Sequence, residues 1–330
     1  MNPVRIGIIG CGGHARWHVS NLCKVADARV VALADPNPAQ IQRTQAMFPA
    51  LAKVPVFSDF HAMLAQAEMD AVVICTPHTQ HVDQVIDAFG RGLHVLVEKP
   101  MVTSVQDAHR VLDAHRKAPG KVGAIGYQRH TQPEFIRLRR EIASGEWGAV
   151  TYMAALQCQE WKRLTKGTWR QDPQLSGGGQ LNDSGSHLID ILLWVSGLRP
   201  ASVSAIIDNL GTPVDINSSL SIRFAGGAMA SVSIVGDAPC WHEEITVWCE
   251  RGMFLIRNGH LCVVEGDGTR SEFQRISGGS DPDRNFVDAI LGRAEVAAPL
   301  ECGLRVIELT EAAWESGRNQ GLPVRVHHED

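Results

Sequence analysis

Two ionisable side chains four residues apart, Asp183 and His187, lie in an otherwise apolar segment behind three consecutive glycines, Gly177 to Gly179. If the chain is helical from about Leu181 to Val195, steps of four and three residues bring Asp183, His187, Asp190 and Trp194 near one line. Leu188, Ile189, Ile191, Leu192, Leu193 and Val195 then cover the remaining directions. A helix apolar nearly all round is a buried helix, where an ionisable group needs a partner. One reading is a catalytic imidazole held by a carboxylate, with the glycines letting a loop or ligand come close. The other is a satisfied structural hydrogen bond, and these residues alone leave both open.

A second chemical signal stands at the N-terminus. Val4 to Ile9 is a short branched apolar run that breaks into Gly10-Cys11-Gly12-Gly13-His14-Ala15 before a helical stretch to about Val25. In this G-x-G-x-x-A pattern Gly10 allows the tight turn, Gly12 lets the backbone approach a pyrophosphate, and Ala15 permits close helix-strand packing. The helix dipole and its free N–H groups favour an anion there. A second strand, Arg29 to Ala34, ends in Asp35, at the distance expected for a ribose-binding carboxylate. A carboxylate accepts from a 2'-hydroxyl and repels a 2'-phosphate, so NAD is favoured over NADP.

The elements that position these residues alternate. Strands at 54–57, 71–75, 94–97 and 122–127 are separated by helical stretches from about Pro38, Asp59, Gln80 and Ser104, which predicts a parallel, doubly wound sheet. Ligands bind beyond the carboxyl ends of such strands, along a rim of Gly10 to Gly13, Asp35, Thr76-Pro77, Glu98-Lys99-Pro100 and Tyr127-Gln128-Arg129. Lys99 is fixed there between an acid and a proline, and a cis Lys99-Pro100 bond would aim it back into the cleft. His78 with His81, and His14 with His18, lack accompanying carboxylate or cysteine clusters in sequence, so no metal is expected.

From about Val150 the pattern changes to period-two alternation in six runs, at 150–158, 201–208, 219–224, 228–235, 244–250 and 253–256, joined in part by short connections such as Ala225-Gly226-Gly227. The expectation is an α/β Rossmann domain over residues 1–123 and an α+β domain over 124–330. The second is built on a large, mainly antiparallel open-faced sheet and closed by helices at about 283–291 and 302–319. The uncovered face of that sheet is a candidate subunit interface, giving a homodimer or homotetramer.

The bulk composition narrows the function further. A length of 330 residues, 44 % hydrophobic and 20 % charged, suits two globular domains rather than a disordered chain. A net charge of -5, with no basic run, argues against nucleic acid or an anionic membrane as partner. Eight cysteines without a CxxC pair read as reduced thiols, and no leader or 18-residue apolar run is visible, so a cytoplasmic protein is expected.

Four separated features now resemble one family, the glucose-fructose oxidoreductase / inositol dehydrogenase / MocA group of NAD(P)-dependent enzymes. They are Gly10-x-Gly12-x-x-Ala15, Thr76-Pro77 with His81, Glu98-Lys99-Pro100, and Gly177-Gly178-Gly179 followed by Asp183-x-Gly185-x-His187-x-x-Asp190. The resemblance implies that Lys99, Asp183 and His187 form the catalytic set. It also implies hydride transfer between nicotinamide and a secondary alcohol of a sugar, inositol or related polyol. Cofactor contacts are expected at Gly10, Gly12, Gly13, His14, Ala15, Asp35, Thr76, Pro77, His81, Glu98 and Lys99. Trp169-Arg170 and Gly126-Tyr127-Gln128-Arg129 are similar to further family segments, which makes Tyr127, Arg129, Trp161, Trp169 and Arg170 candidate substrate contacts beside Lys99, Asp183 and His187. Some relatives use NAD only as a transient oxidant, in glycoside cleavage or elimination, so that chemistry is the alternative; a dinucleotide-sensing regulator on the same fold is a third.

Overall fold

A computed structural model describes residues 2–273 and 276–328. The chain divides into two compact units, one made of Met1–Val102, Gln106–Gln128 and Ser280–Gly303, the other of Thr103–Val105, Arg129–Gly279 and Leu304–Asp330.

The first unit carries the expected doubly wound sheet. Strands β1 (Val4–Ile9), β2 (Ala28–Ala34), β3 (Val56–Phe57), β4 (Ala71–Ile74), β5 (His94–Val97) and β6 (Gly123–Ile125) lie in the order β3-β2-β1-β4-β5-β6, and every pairing is parallel. Helices α1 (Gly13–Leu22), α2 (Pro38–Met47), α3 (Phe60–Gln66), α4 (His81–Gly90) and α5 (Val105–Arg116) alternate with the strands. Strand β4 is buried along its whole length, as a strand covered on both faces must be, and this is why it reads as a continuous apolar run. The order reverses between β1 and β4, so the mouth beside the β1–α1 turn is where such a sheet takes a ligand.

The second unit is α+β. Helix α6 (Pro133–Ala143) leads into β7 (Val150–Cys158), followed by the short helices α7 (Trp161–Leu164) and α8 (Pro173–Ser176) and the longer α9 (Gly185–Ser196). Strands β8 (Pro200–Asp208), β9 (Asn217–Phe224), β10 (Met229–Val235), β11 (His242–Cys249) and β12 (Gly252–Arg257) account for the five further strands expected. Three more, β13 (His260–Glu265), β14 (Arg270–Phe273) and β15 (Val324–Arg325), extend the sheet to nine, in the order β14-β13-β12-β11-β7-β10-β9-β8-β15. All its pairings are antiparallel except β10 with β7. The extra strands lack a clear period-two signal: β14 is Arg-Ser-Glu-Phe and mostly exposed, and β15 has two residues. In β9 the alternation is strict, with Leu220, Ile222 and Phe224 inward and Ser219, Ser221 and Arg223 outward.

Helices α10 (Pro282–Ile290) and α11 (Leu300–Arg318) complete the chain. A single boundary after residue 123 does not describe the division into units, because α10 carries Phe286 and Val287 into the apolar core around Ile6, Ile8 and Leu96. The helix near residue 283 therefore belongs to the first unit and does not close the second. Among the described residues no helix is long and apolar enough to cross a membrane, and all eight cysteines are free thiols.

Candidate functional site

The β1–α1 turn fits a dinucleotide at the level of single atoms. Gly10 has φ +83°, and a Cβ there would lie 2.8 Å from the carbonyl carbon and oxygen of Cys75, so the protein itself demands glycine. Gly12 is different: its φ is -70°, and nothing lies within 4 Å of an added Cβ. Neither strain nor protein packing requires a glycine there, and the open space is what an approaching pyrophosphate needs. Gly12 caps α1, no side chain bonds to that helix end and no acid occupies its first turn, so the N–H groups of Gly13 and His14 face the loop as anion donors. Ala15 is fully buried, as close packing requires.

A cavity of about 650 Å³ opens beside this turn, lined by Gly10, Asp35, Thr76 and Gln84 among others. Asp35 accepts from the Cys11 N–H at 2.7 Å and from the Asn37 N–H at 2.8 Å, so it braces the glycine turn as well as lining the cavity. Asp59, Asp83 and Asp87 also line it. Of the basic lining groups, Arg110 is bonded to Asp83 (3.1 Å) and Asp107 (2.8 Å), and His61 lies 3.1 Å from Asp87.

His81 has its two ring nitrogens 2.9 Å from the Pro100 carbonyl and 3.0 Å from the Thr76 carbonyl. The ring is completely buried, and burial lowers its pKa against the pull of those carbonyls. It ties together the chain ends beyond β4 and β5, and does not face a cofactor as expected. The Lys99-Pro100 bond is cis, and Lys99 is buried in the first unit. Tyr127 is 1 % exposed, an inward side chain of the same unit.

In the second unit Asp183 precedes α9 and is not part of it. The Gly185 N–H reaches back five residues to the Gln180 carbonyl (2.8 Å), a wide turn that breaks helical register before residue 185. Asp183 is 4 % exposed, and its Oδ2 accepts from Trp161 Nε1 at 2.8 Å and Arg170 Nε at 2.9 Å. The Arg170 guanidinium stacks over Trp169 at 4.5 Å. Trp161, Trp169 and Arg170, expected as substrate contacts, thus form one assembly on Asp183. Trp161 is itself 2 % exposed, so its indole holds the carboxylate and offers no open face for stacking. His187, by contrast, is only partly buried on an α9 otherwise closed apart from Trp194 and Ser196.

Asp190 is bonded to His130 at 2.8 Å, both buried, and is a structural group. Arg129 forms a buried ion pair with Glu243; burial pushes its guanidinium pKa down while Glu243 opposes that. Its charge is spent within the second unit.

The glycine run makes room for protein. A Cβ at Gly177 would meet Thr103 (2.4 Å), one at Gly178 the Trp314 ring (2.4 Å), and one at Gly179 the Asp215 carbonyl (2.0 Å). Asp215, which sequence reasoning passed over, clamps this loop: its carboxylate accepts from Gly179 N (2.9 Å), Leu181 N (2.7 Å) and Trp314 Nε1 (3.0 Å). Its only signal in the sequence is an acid between Val214 and Ile216.

Comparison with known proteins decides the family. Residues 4–125 match the model of an oxidoreductase family with an NAD-binding Rossmann fold, and residues 135–255 match the GFO/IDH/MocA C-terminal domain. The chain belongs to the GFO/IDH/MocA family. Among similar proteins, inositol 2-dehydrogenase of Streptomyces avermitilis is 28 % identical over 269 residues, 80 % of this chain and 75 % of that protein. D-glucoside 3-dehydrogenase of Escherichia coli is 30 % identical over 202 residues, 59 % of this chain and 55 % of that one. The WlbA dehydrogenase from Bordetella pertussis, solved with NADH and UDP-GlcNAcA, shares the fold with a TM-score of 0.84 at 23 % identity, covering 100 % of this chain and 99 % of its own. As a GFO/IDH/MocA member the chain is an oxidoreductase, and a purely sensing role on this fold is set aside.

Proposed function

We propose that this enzyme oxidises a secondary alcohol of a sugar, inositol or related polyhydroxylated molecule, with NAD preferred over NADP. The observation that carries this is the Asp183 carboxylate, held from two sides by Trp161 and Arg170 just ahead of the partly open His187. That is a fixed acceptor four residues ahead of a group able to take a proton.

The bound nicotinamide supplies the hydride acceptor. The open Gly12 and the N-terminus of α1, to which no side chain bonds, would hold its pyrophosphate, and Asp35 a ribose 2'-hydroxyl. Four aspartates line the neighbouring cavity while Arg110 and His61 already face acids, which disfavours a 2'-phosphate. His187 takes the proton of the substrate hydroxyl. Asp183 orients His187 or accepts from a second hydroxyl, and Lys99 donates to the reacting oxygen and stabilises charge building there. Trp169 and Arg170, partly exposed, are the substrate contacts favoured in the second unit; Trp161 acts through Asp183.

The test is a panel of sugars, inositols and sugar acids offered with NAD and with NADP and followed at the nicotinamide absorbance. Turnover with at least one polyol, faster with NAD, is expected; a clear preference for NADP would overturn the cofactor reading. The outward face of the nine-stranded sheet, with Ile206, Met229 and Trp248 exposed, supports a homodimer or homotetramer. A monomeric mass in light scattering across a wide concentration range would count against that assembly.

A further inference from the structure

Behind the glycine turn lies a buried charged cluster that the proposed chemistry does not use. His18, on the second turn of α1, is completely buried between two carboxylates: Nδ1 is 2.7 Å from Asp283 Oδ1 and Nε2 is 2.9 Å from Glu98 Oε1. With both carboxylates ionised the two neighbours are acceptors and both ring nitrogens donate, which only the imidazolium can do. Burial alone would push this imidazole down, yet Asp283 and Glu98 outweigh it and hold it up to about 10. Asn21 Nδ2 donates to the other oxygen of Asp283 at 3.0 Å.

Glu98 is equally committed. Its Oε1 takes His18 and lies 3.2 Å from His14 Nε2, and its Oε2 accepts from the backbone N–H of Lys99 at 3.2 Å. Burial would raise this carboxyl, but His14 and His18 hold it well below the usual carboxylate range. The sequence leaves space for it: a Cβ on Gly126, just past β6, would lie 2.2 Å from Glu98 Oε1. Three parts of the first unit therefore converge on one carboxylate: α1 through His14 and His18, α10 through Asp283 behind His18, and the end of β6 through Gly126. The cluster also explains a Cys75 thiol pushed well above its usual value, by burial first and then by the charges of Glu98 and Asp283.

We propose that His18 is a positioning residue that, gripped by Asp283, fixes the Glu98 carboxylate against the Lys99 backbone and so sets the placement of Lys99. This rests on the role of Lys99 proposed above. A buried ion pair is poor evidence of net stabilisation, because desolvation offsets its attraction. Its value here is orientation: Glu98 adjoins Lys99 in the chain and spends one oxygen on that residue's own N–H, so a turn of its carboxylate moves the strand end.

The test uses the full-length enzyme. In the wild type, ¹⁵N NMR of the histidines at about pH 8 is expected to show a doubly protonated imidazole that Asp283→Asn returns to the neutral form, which assigns it to His18. A wild type with every imidazole neutral at that pH overturns the proposal without recourse to any variant. Asp283→Asn is expected to lower kcat roughly 10- to 100-fold and to shift its pH profile, while KM for the polyol and Kd for NAD from fluorescence quenching stay within about threefold. Gly126→Ala keeps every charge but displaces Glu98, and should lower kcat likewise. If both variants merely melt earlier, with kcat within about twofold and an unmoved pH profile, the cluster is structural only and the proposal fails. Failure of the Lys99 role itself would show separately, as near-normal kcat in Lys99→Ala.

Discussion

Replacing Asp215 by Asn is the sharpest probe of how the second unit holds its functional loop. The carboxylate takes two donors on Oδ1, Gly179 N at 2.9 Å and Trp314 Nε1 at 3.0 Å, and one on Oδ2, Leu181 N at 2.7 Å. An amide keeps the first pair if its oxygen stays at the Oδ1 position, but it then turns an NH₂ toward the Leu181 N–H. One bond to a charged acceptor, worth about 1.5–3 kcal/mol, is lost, and a buried donor is left unsatisfied at about 1–3 kcal/mol. Against this, burial raises the Asp215 pKa despite the Leu181, Gly179 and Trp314 bonds, so its charge is held at a net cost that the neutral amide relieves. The balance is a loss of about 2–3 kcal/mol, roughly 5–10 °C in Tm for a unit of this size. Urea midpoints and thermal scans measure it, and kcat should fall as well because Asp183 follows the clamped segment by two residues. Stability within about 0.5 kcal/mol of wild type, with kcat within twofold, would refute the clamp.

Other expectations follow from the same geometry. Lys99→Ala and His187→Ala should each lower kcat by about two to four orders of magnitude while NAD still binds, measured by steady-state kinetics beside fluorescence titration. Gly12→Val should raise Kd for NAD about tenfold or more with little change in Tm, because its Cβ enters open space. Gly10→Ala, at φ +83° and against the Cys75 carbonyl, should instead cost about 1–3 kcal/mol of stability, read from urea unfolding. The folded His18 pKa is raised from 6.5 to about 10 by Asp283 and Glu98 in spite of burial, so its contribution is complete below about pH 6.5 and is lost as pH rises toward 10. Urea midpoints should fall between about pH 6 and pH 9, and this fall should flatten in Asp283→Asn.

Much of this was legible in the sequence because local signals carried it. The β1–α1 turn announces itself through Gly10, Gly12 and Ala15, and the strands of the first unit through apolar runs that burial on both faces enforces. What stayed hidden depends on long-range contact. Asp283 lies 265 residues from His18, and nothing near either shows that they meet. The glycines at 177–179 could be read as room for a ligand, but only the positions of Thr103, Trp314 and Asp215 show that protein fills it. Trp161 and Arg129 looked available for substrate by residue type, whereas burial against Asp183 and Glu243 decides their use. The start of α9 is hidden in the sequence because Leu181 continues the apolar pattern while the wide turn at Gly185 leaves no mark in composition.

The reaction proposed for this enzyme is net hydride transfer from a polyol hydroxyl to NAD. It is tested most directly by measuring, with the best substrate of the panel, how much NADH accumulates per molecule of product. One NADH for each oxidised product is predicted. Product formed steadily with no NADH accumulating would contradict the account and assign the enzyme to cleavage or elimination through transient oxidation.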